Sequence, residues 1–456
     1  MAELTLPFEG MPEGWLVLFS LALAVILAMF SWTALLFTRG QTTRRRPVPA
    51  PAEGTRDFEW VFIVAALNEE ITICDSVRRL LEVPLARRRV VVVDDGSDDR
   101  TPELLGELTH PDLHVLRRDP PDARRGKAAA LNHAYAALDG LLAGADRERV
   151  IVVVVDADGR LQPDAPRYAA AHFADPAVGG VQALVRIYNR SRPLTFMQDV
   201  EFSVYACLYQ AGRTGWGTAG MGGNGQFNRL SALDTVADEG GPWRDRLTED
   251  QDLGLRLIAA GWKGRQELRA VVEQQGLPGL RRLFRQRTRW SQGNLQAIGL
   301  MGAVWRAPVS RLARLESLAY LLMPVWQGIV GASLVAAIVL AATGQFSFWG
   351  DGPWWQLVFF YMLGFGGTVL GCVSARSGRG ARGWLTGVAL GQVYAFYSWL
   401  LWPALIRSTL RQATQRRDWT KTEREPLGGE PPPQLPPASA SAAPPAPSPA
   451  KTAAKT

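Results

Sequence analysis

Apolar and polar positions divide the chain into blocks of different period. Residues 14–38 form an uncharged run of 25 residues that ends at Arg39, long enough for one helix to span a bilayer. The segment before it carries Glu3, Glu9 and Glu13 and no base. That is not the positive start of a cleaved signal peptide, so the run reads as an uncleaved anchor. Arg39, Arg44, Arg45, Arg46 and Arg56 follow, and positive charge marks the cytosolic side. Residues 1–13 are therefore expected outside, 14–38 in the membrane, and a linker over 39–57 inside. From 58 to 275, short β-branched runs alternate with amphipathic stretches: WVFIVA, VVVV before Asp94, VIVVVV before Asp156 and VGGVQALVRI. That rhythm predicts βαβ units and a mostly parallel sheet covered on both faces.

Residues 276–316 are rich in arginine with a helical pattern and are expected to lie in the membrane interface. Residues 317–350, 352–375 and 383–406 are three more uncharged stretches, so 317–406 is expected to hold three transmembrane segments. The loop with Arg376, Arg379 and Arg382 belongs inside and the base-free QFSFWGDGP outside. Four crossings would leave the C-terminus outside, yet Arg407, Arg411, Arg416 and Arg417 follow the last stretch at once. Either these charges lose or one segment is re-entrant. Residues 407–456 form a basic, then Pro/Ala-rich tail; with ten prolines in the 25 residues from Pro426, it is expected to be disordered.

Composition narrows the class. The 456 residues allow about three domains at roughly 150 residues each. Charged residues are 20% of the whole, but they are absent from the four long stretches, which excludes a purely soluble enzyme. The formal net charge of +7 comes from 45 Arg and 5 Lys against 43 acids. The arginines adjoin the apolar stretches, which fits a membrane surface or a polyanionic ligand better than nucleic acid. Cys74, Cys207 and Cys372 include no CxxC, so neither a disulfide framework nor a zinc site is expected.

Several residues could carry chemistry. Asp94 and Asp95 end the run VVVVDD, and ligands of open α/β sheets bind at the carboxyl ends of strands. A plain capped turn would use the same residues. Asp156 and Asp158 repeat the arrangement as DAD after VIVVVV. Two carboxylates at i and i+2 can set one oxygen on a divalent cation such as Mg²⁺ or Mn²⁺ and another on a sugar or ribose hydroxyl. Lys127 opens an Ala-rich helical stretch, a place for a phosphate or a uracil carbonyl, or for a solvated lysine. Thr248, with Gln251 three residues on, fits a capping box that would put Glu249 and Asp250 in the first turn. The helix dipole there lowers an acid's pKa, whereas burial or a second carboxylate raises it. Gln286, Arg289 and Trp290 stand at i, i+3 and i+4, on one helical face, suited to diphosphate oxygens and stacking on a sugar. A basic interfacial helix with a Trp anchor would look alike. Residues 212–225 hold seven glycines, as a close-approach loop or a flexible connector.

In their order, DDGS, GKAAALN, DAD, TED and QRTRW, framed by one N-terminal and several C-terminal apolar stretches, resemble the membrane-bound family 2 glycosyltransferases. Those enzymes include cellulose, hyaluronan and poly-N-acetylglucosamine synthases and relatives that put one sugar on a lipid. The resemblance covers about 58–300. It implies a GT-A-type, Rossmann-like α/β nucleotide-sugar domain inserted between transmembrane helices. It also implies a metal-dependent, inverting transfer from a UDP-sugar to a lipid or glycan acceptor at the plasma membrane, with the catalytic domain cytosolic. Asp94, Asp95, Lys127 and Asp156 would then hold the donor nucleotide and Asp158 the metal. Asp250 would be the general base, with Gln286, Arg289 and Trp290 on the acceptor and diphosphate side. The bilayer is a partner, and an accessory export subunit is admitted as another. The additional N-terminal crossings and regulatory domain of cellulose synthases are not seen here. GGNGQFNRLSALD and EQQG look more like enzymes that glycosylate diacylglycerol-type lipids than like polymer synthases. A rival reading is a non-catalytic, nucleotide-sugar-binding membrane subunit; the complete carboxylate set argues against it.

Overall fold

The structure is a computed structural model that describes residues 13–45, 57–344 and 354–415. The expected external segment except Glu13, most of the linker, the QFSFWGDGP loop, and Arg416, Arg417 and the tail lie outside the described residues. Helix α1 (Glu13–Arg45) comes first. The α/β domain then runs β1 (Glu59–Ala66), α2 (Ile73–Leu81), β2 (Arg88–Asp94), α3 (Thr101–Gly106), β3 (Leu113–Arg117), α4 (Lys127–Leu141), β4 (Val150–Asp156) and β5 (Arg160–Leu161). It continues with α5 (Ala165–Phe173), β6 (Val178–Ile187), α6 (Pro193–Val204), α7 (Ala211–Thr214), β7 (Gln226–Arg229), α8 (Leu230–Val236), α9 (Glu249–Ala259) and β8 (Lys263–Gln274). A π-helical segment, Tyr205–Gln210, joins α6 to α7.

The four apolar runs become β1, β2, β4 and β6. Their continuous character follows from burial on both faces. In β4, Ile151, Val153 and Val155 enter one core cluster with α2 and α5, while Val150, Val152 and Val154 enter another with α4 and α9. The sheet order is β3-β2-β1-β4-β7-β6-β8-β5. It is more mixed than expected, because β7 runs antiparallel to both β4 and β6 and β5 antiparallel to β8. The short β7, QFNR, has no long β-branched run to announce it; its four residues are buried by the strands on either side. β1, β2, β4 and β6 still share one direction, so their carboxyl ends, with the loop entering β7, meet along one edge.

Seven helices follow: α10 (Leu280–Ala297), α11 (Met301–Arg306), α12 (Arg311–Leu321), α13 (Met323–Ala342), α14 (Trp354–Arg376), α15 (Gly380–Leu400) and α16 (Trp402–Ala413). Two expected boundaries move, and proline is the reason. Pro324 and Pro403 sit in the first turns of α13 and α16, where a missing N–H costs a helix nothing, so α13 starts afresh after α12 and α16 after α15. Ser317 thus belongs to α12 beside Glu316, whose carboxylate takes a 2.7 Å hydrogen bond from buried Arg213 of α7. By length and composition, α1 and α13 are the two described helices apolar enough to cross a membrane. α14 and α15 use small residues to pack against each other. A Cβ on Gly387 would lie 2.7 Å from the Val373 Cα, and one on Gly391 2.6 Å from the Val369 Cα, a close approach that glycine permits. α16 returns the basic segment to α10: Ser408 and Ser291 share a 2.7 Å hydroxyl contact, and Arg411 donates to Gln292 at 3.2 Å.

Candidate active site

The strand ends bring most of the singled-out residues to one cavity of about 820 Å³. Asp95, Lys127, Asp156, Asp158, Asp250, Gln286, Arg289 and Trp290 all line it. Asp94 does not number among the lining residues. It is buried, takes the Ser97 N–H at 2.9 Å and pairs with Arg117, which makes it a support for the turn. Asp95 pairs with Arg118 at 2.5 Å; desolvation raises its pKa against the pull of that guanidinium. Arg117 and Arg118, where β3 ends beside β2, were legible as a basic pair at a strand end but were not singled out.

Lys127 starts α4 and joins several elements. Its ammonium pairs with Asp156, donates to the Gly223 carbonyl at 3.2 Å and stands 3.8 Å from Glu249. Desolvation alone would lower its pKa, but Asp156 and Glu249 outweigh that and raise it, so it stays charged. The glycine-rich segment is a fixed wall here rather than a loose connector. Gln210 grips Gly220 through both its N–H (3.0 Å) and its carbonyl (3.1 Å), and Gln182 accepts from Gly222 at 2.7 Å and donates to Asn224 at 2.8 Å. Gly223 must be small: a Cβ would lie 3.1 Å from the Lys127 Nζ and 3.2 Å from the Asp250 carboxylate. Gln182 and Gln210 gave no sequence signal, being isolated amides in strand and helix.

Glu249 and Asp250 open α9 as expected, but the capping box does not form. Thr248 is the N-cap without a side-chain cap bond; its hydroxyl donates to the Gln251 side chain at 3.3 Å. Its side chain abuts α10, where a Cβ on Gly293 would lie 2.4 Å from the Thr248 Oγ1. Desolvation is the largest influence on both acids. It pushes Glu249 up to about 7, with Asp250 adding to the rise and Lys127 and Arg289 opposing. It also raises Asp250, against Lys127 and Arg289. Glu249 is the chemically notable residue that motif reading passed over.

Gln286, Arg289 and Trp290 share one face of α10. Arg289 donates to the Leu247 carbonyl at 3.2 Å, just before the acid pair. Trp290 meets Phe202 edge-on, with ring centroids 6.0 Å apart, and carries the Arg287 guanidinium 4.1 Å from its centroid. Beyond these residues the cavity continues between helices, along Met29 and Phe30 of α1, Trp326 and Val330 of α13, and Leu363 of α14.

Among the described residues, no group of three or more His, Cys, Asp and Glu gathers to hold a metal. At the end of β4, Asp156 is engaged by Lys127, whereas Asp158 lines the cavity with its carboxylate taking the Gln275 N–H at 3.1 Å. This donor set fits Mg²⁺ or Mn²⁺, which keep water and take one or two carboxylates plus phosphate oxygens.

Residues 61–236 match the family described as Glycosyl transferase family 2, and residues 151–369 match Glycosyl transferase family group 2. The chain is 30% identical over 382 residues to a beta-monoglucosyldiacylglycerol synthase of Synechocystis sp., covering 79% of this chain and 74% of that protein. It is 28% identical over 240 residues to a poly-beta-1,6-N-acetyl-D-glucosamine synthase of Staphylococcus epidermidis, 52% of this chain and 55% of the relative. In fold it is similar to the mannosyltransferase PcManGT from Pyrobaculum calidifontis, solved with GDP-Man and Mn²⁺, at a TM-score of 0.57 and 21% identity, over 88% of this chain and 100% of that one. The strand-end carboxylates thus sit in a GT-A-like sheet, and the chain belongs to glycosyl transferase family 2.

Proposed function

We propose that this enzyme moves a single hexose from a UDP-sugar to the hydroxyl of a diacylglycerol-type lipid, with inversion to a β-linkage. The observation that carries this reading is the continuity of the cavity. The carboxylates and Lys127 line one end, and Met29, Phe30, Trp326, Val330 and Leu363 line the other, so an acceptor with an apolar body can reach the donor without leaving a protected path. In this reading α1, α13, α14 and α15 lie in the plasma membrane and the α/β domain faces the cytosol, where nucleotide sugars are made. The Synechocystis relative's name points the same way. The Staphylococcus relative's name, a poly-beta-1,6-N-acetyl-D-glucosamine synthase, favours the second reading, a processive β-glycan synthase and exporter.

In the proposed mechanism Asp95 and Lys127 orient the uridine, and Asp158 would hold Mg²⁺ or Mn²⁺. A bound cation would supply charge neutralisation for the departing diphosphate. Arg289 stabilises the same charge from the α10 side. Asp250, raised in pKa by desolvation, takes the proton of the acceptor hydroxyl as its oxygen attacks the anomeric carbon opposite the leaving group. One displacement gives inversion without a covalent intermediate. Glu249 keeps Lys127 and Asp250 in a shared electrostatic field.

The test is purified protein in lipid nanodiscs with labelled UDP-glucose and diacylglycerol. Label that partitions into organic solvent as a one-sugar β-glycoside supports the reading. Label retained in a high-mass glycan selects the processive alternative.

A further inference from the structure

Arg287, the second residue of QRTRW, is not among the residues that line the cavity, yet its buried guanidinium lies directly behind two that are. Only 6% exposed, it forms one of the most closely engaged buried charges outside the strand-end site. Its Nη1 donates to the Gln286 side-chain carbonyl at 2.6 Å, and its Nη2 donates to the Glu201 carboxylate of α6 at 2.6 Å. The same guanidinium lies 4.1 Å from the centroid of Trp290. The Glu201 oxygen that takes Arg287 also takes the Tyr397 hydroxyl of α15 at 2.9 Å. One planar cation therefore touches two cavity-lining residues of α10, Gln286 and Trp290, and its counter-ion is anchored by a membrane-region helix.

We infer that Arg287, held in place by Glu201 and Tyr397, is the positioning residue of the acceptor wall. The fork of a guanidinium can satisfy two acceptors in fixed directions while its face covers an aromatic ring. Here that geometry fixes the Gln286 amide and covers one face of the indole, so Trp290 has its other face for ligand. Phe202, which lines the cavity beside Glu201, meets the indole edge-on and belongs to the same wall. Because Tyr397 belongs to α15, the packing of α15 against α14 is transmitted to the acceptor wall by two hydrogen bonds. On the donor side, Asp95 and Lys127 are instead paired within the α/β domain.

The inference rests on Gln286 and Trp290 facing the acceptor, so its test includes Trp290→Ala as a control. Initial rates are measured in nanodiscs while UDP-glucose and diacylglycerol are varied separately, with UDP affinity measured by calorimetry and folding by thermal unfolding. Glu201→Gln keeps shape but removes the counter-charge. It should raise the acceptor KM about tenfold, the loss of one charge-assisted hydrogen bond, with UDP affinity within about twofold of the parent. Tyr397→Phe, which removes only a hydroxyl, should move the acceptor KM the same way by a smaller factor. Arg287→Lys keeps the charge without the fork and should also raise the acceptor KM. If lysine restores parental acceptor use, Arg287 merely balances Glu201 and the inference is overturned. It is equally overturned if Glu201→Gln weakens donor and acceptor use alike. If Trp290→Ala impairs UDP affinity and spares the acceptor, the acceptor-side reading fails first and takes the inference with it. If Trp290→Ala impairs the acceptor and the Arg287, Glu201 and Tyr397 variants do not, only the inference fails.

Discussion

The two halves of the cavity are built differently. On the donor half, Asp95 meets Arg118 across 23 residues of sequence and Lys127 meets Asp156 across 29, all within successive βαβ units. On the acceptor half, Arg287 reaches Glu201 across 86 residues and Tyr397 reaches Glu201 across 196. Parallel strands must deliver their carboxyl ends to one edge, so any acids placed there converge without further specification. The acceptor wall converges only once α6, α10 and α15 have packed. In the proposed reading, donor recognition is thus a property of a sheet, and acceptor recognition a property of how helices dock on it. A change of acceptor can therefore arise in the helices while the strand ends stay as they are.

The comparison can be broken most sharply at Asp250, where the halves meet. Asp250→Asn keeps shape and removes the base, and turnover should fall by about 10² to 10⁴, roughly 3 to 5 kcal/mol, with UDP affinity nearly unchanged. Calorimetry beside transfer assays checks this; loss of UDP binding would return Asp250 to the donor half. Next in size is a matched pair. Asp95→Asn, which still accepts from Arg118, should weaken UDP binding by about ten- to a hundredfold. Trp290→Ala should spare UDP and raise the acceptor KM by up to about tenfold. If both variants shift both substrates equally, the two halves are one site.

Gly223→Ala sharpens the boundary. The new methyl would press on the ends of Lys127 and Asp250, flexible side chains that can yield without unfolding the protein. Thermal stability should stay near parental while kcat/KM falls about tenfold for both substrates, since small displacements of reacting groups are costly. The smallest expected effect is in pH. Desolvation favours the protonated forms of Glu249 and Asp250, so activity that needs the Asp250 carboxylate should rise with pH only above the ordinary carboxylate range. A kcat/KM profile against pH checks this, and a limb at the ordinary carboxylate pKa would count against Asp250 as a desolvated base. The stability sign is the opposite one. A raised folded-state pKa contributes stability that is full below the ordinary carboxylate pKa and is lost as pH climbs through about 7. Glu249→Gln should therefore match the parent's melting temperature in acid and exceed it above neutrality.

Much of this was legible in the chain. The valine runs of β2 and β4 announced buried strands, and an acid directly after such a run can hardly avoid the crevice, which is why Asp95, Asp156 and Asp158 came together. Asp94 was the exception, because a strand's last residue turns to either side and Arg117 decided which. The QRTRW spacing identified a face of α10 correctly, since 3.6 residues per turn leaves Gln286, Arg289 and Trp290 no choice. β7 escaped notice because four residues of mixed polarity carry no period, and its direction depends on β4 and β6. The two proline breaks were visible as residues, but hydropathy averaged over them.

By itself, then, the sequence determined the parallel core, the edge where chemistry gathers and the helical face of QRTRW, because strand alternation, strand ends and helical period are local consequences of backbone geometry. The tertiary structure alone decided that Arg287 backs Gln286 and Trp290, that glutamines clamp the glycine-rich wall, and that desolvation raises Glu249 and Asp250 against Lys127 and Arg289. Those outcomes depend on which distant surfaces exclude water from one another, and no local period encodes that.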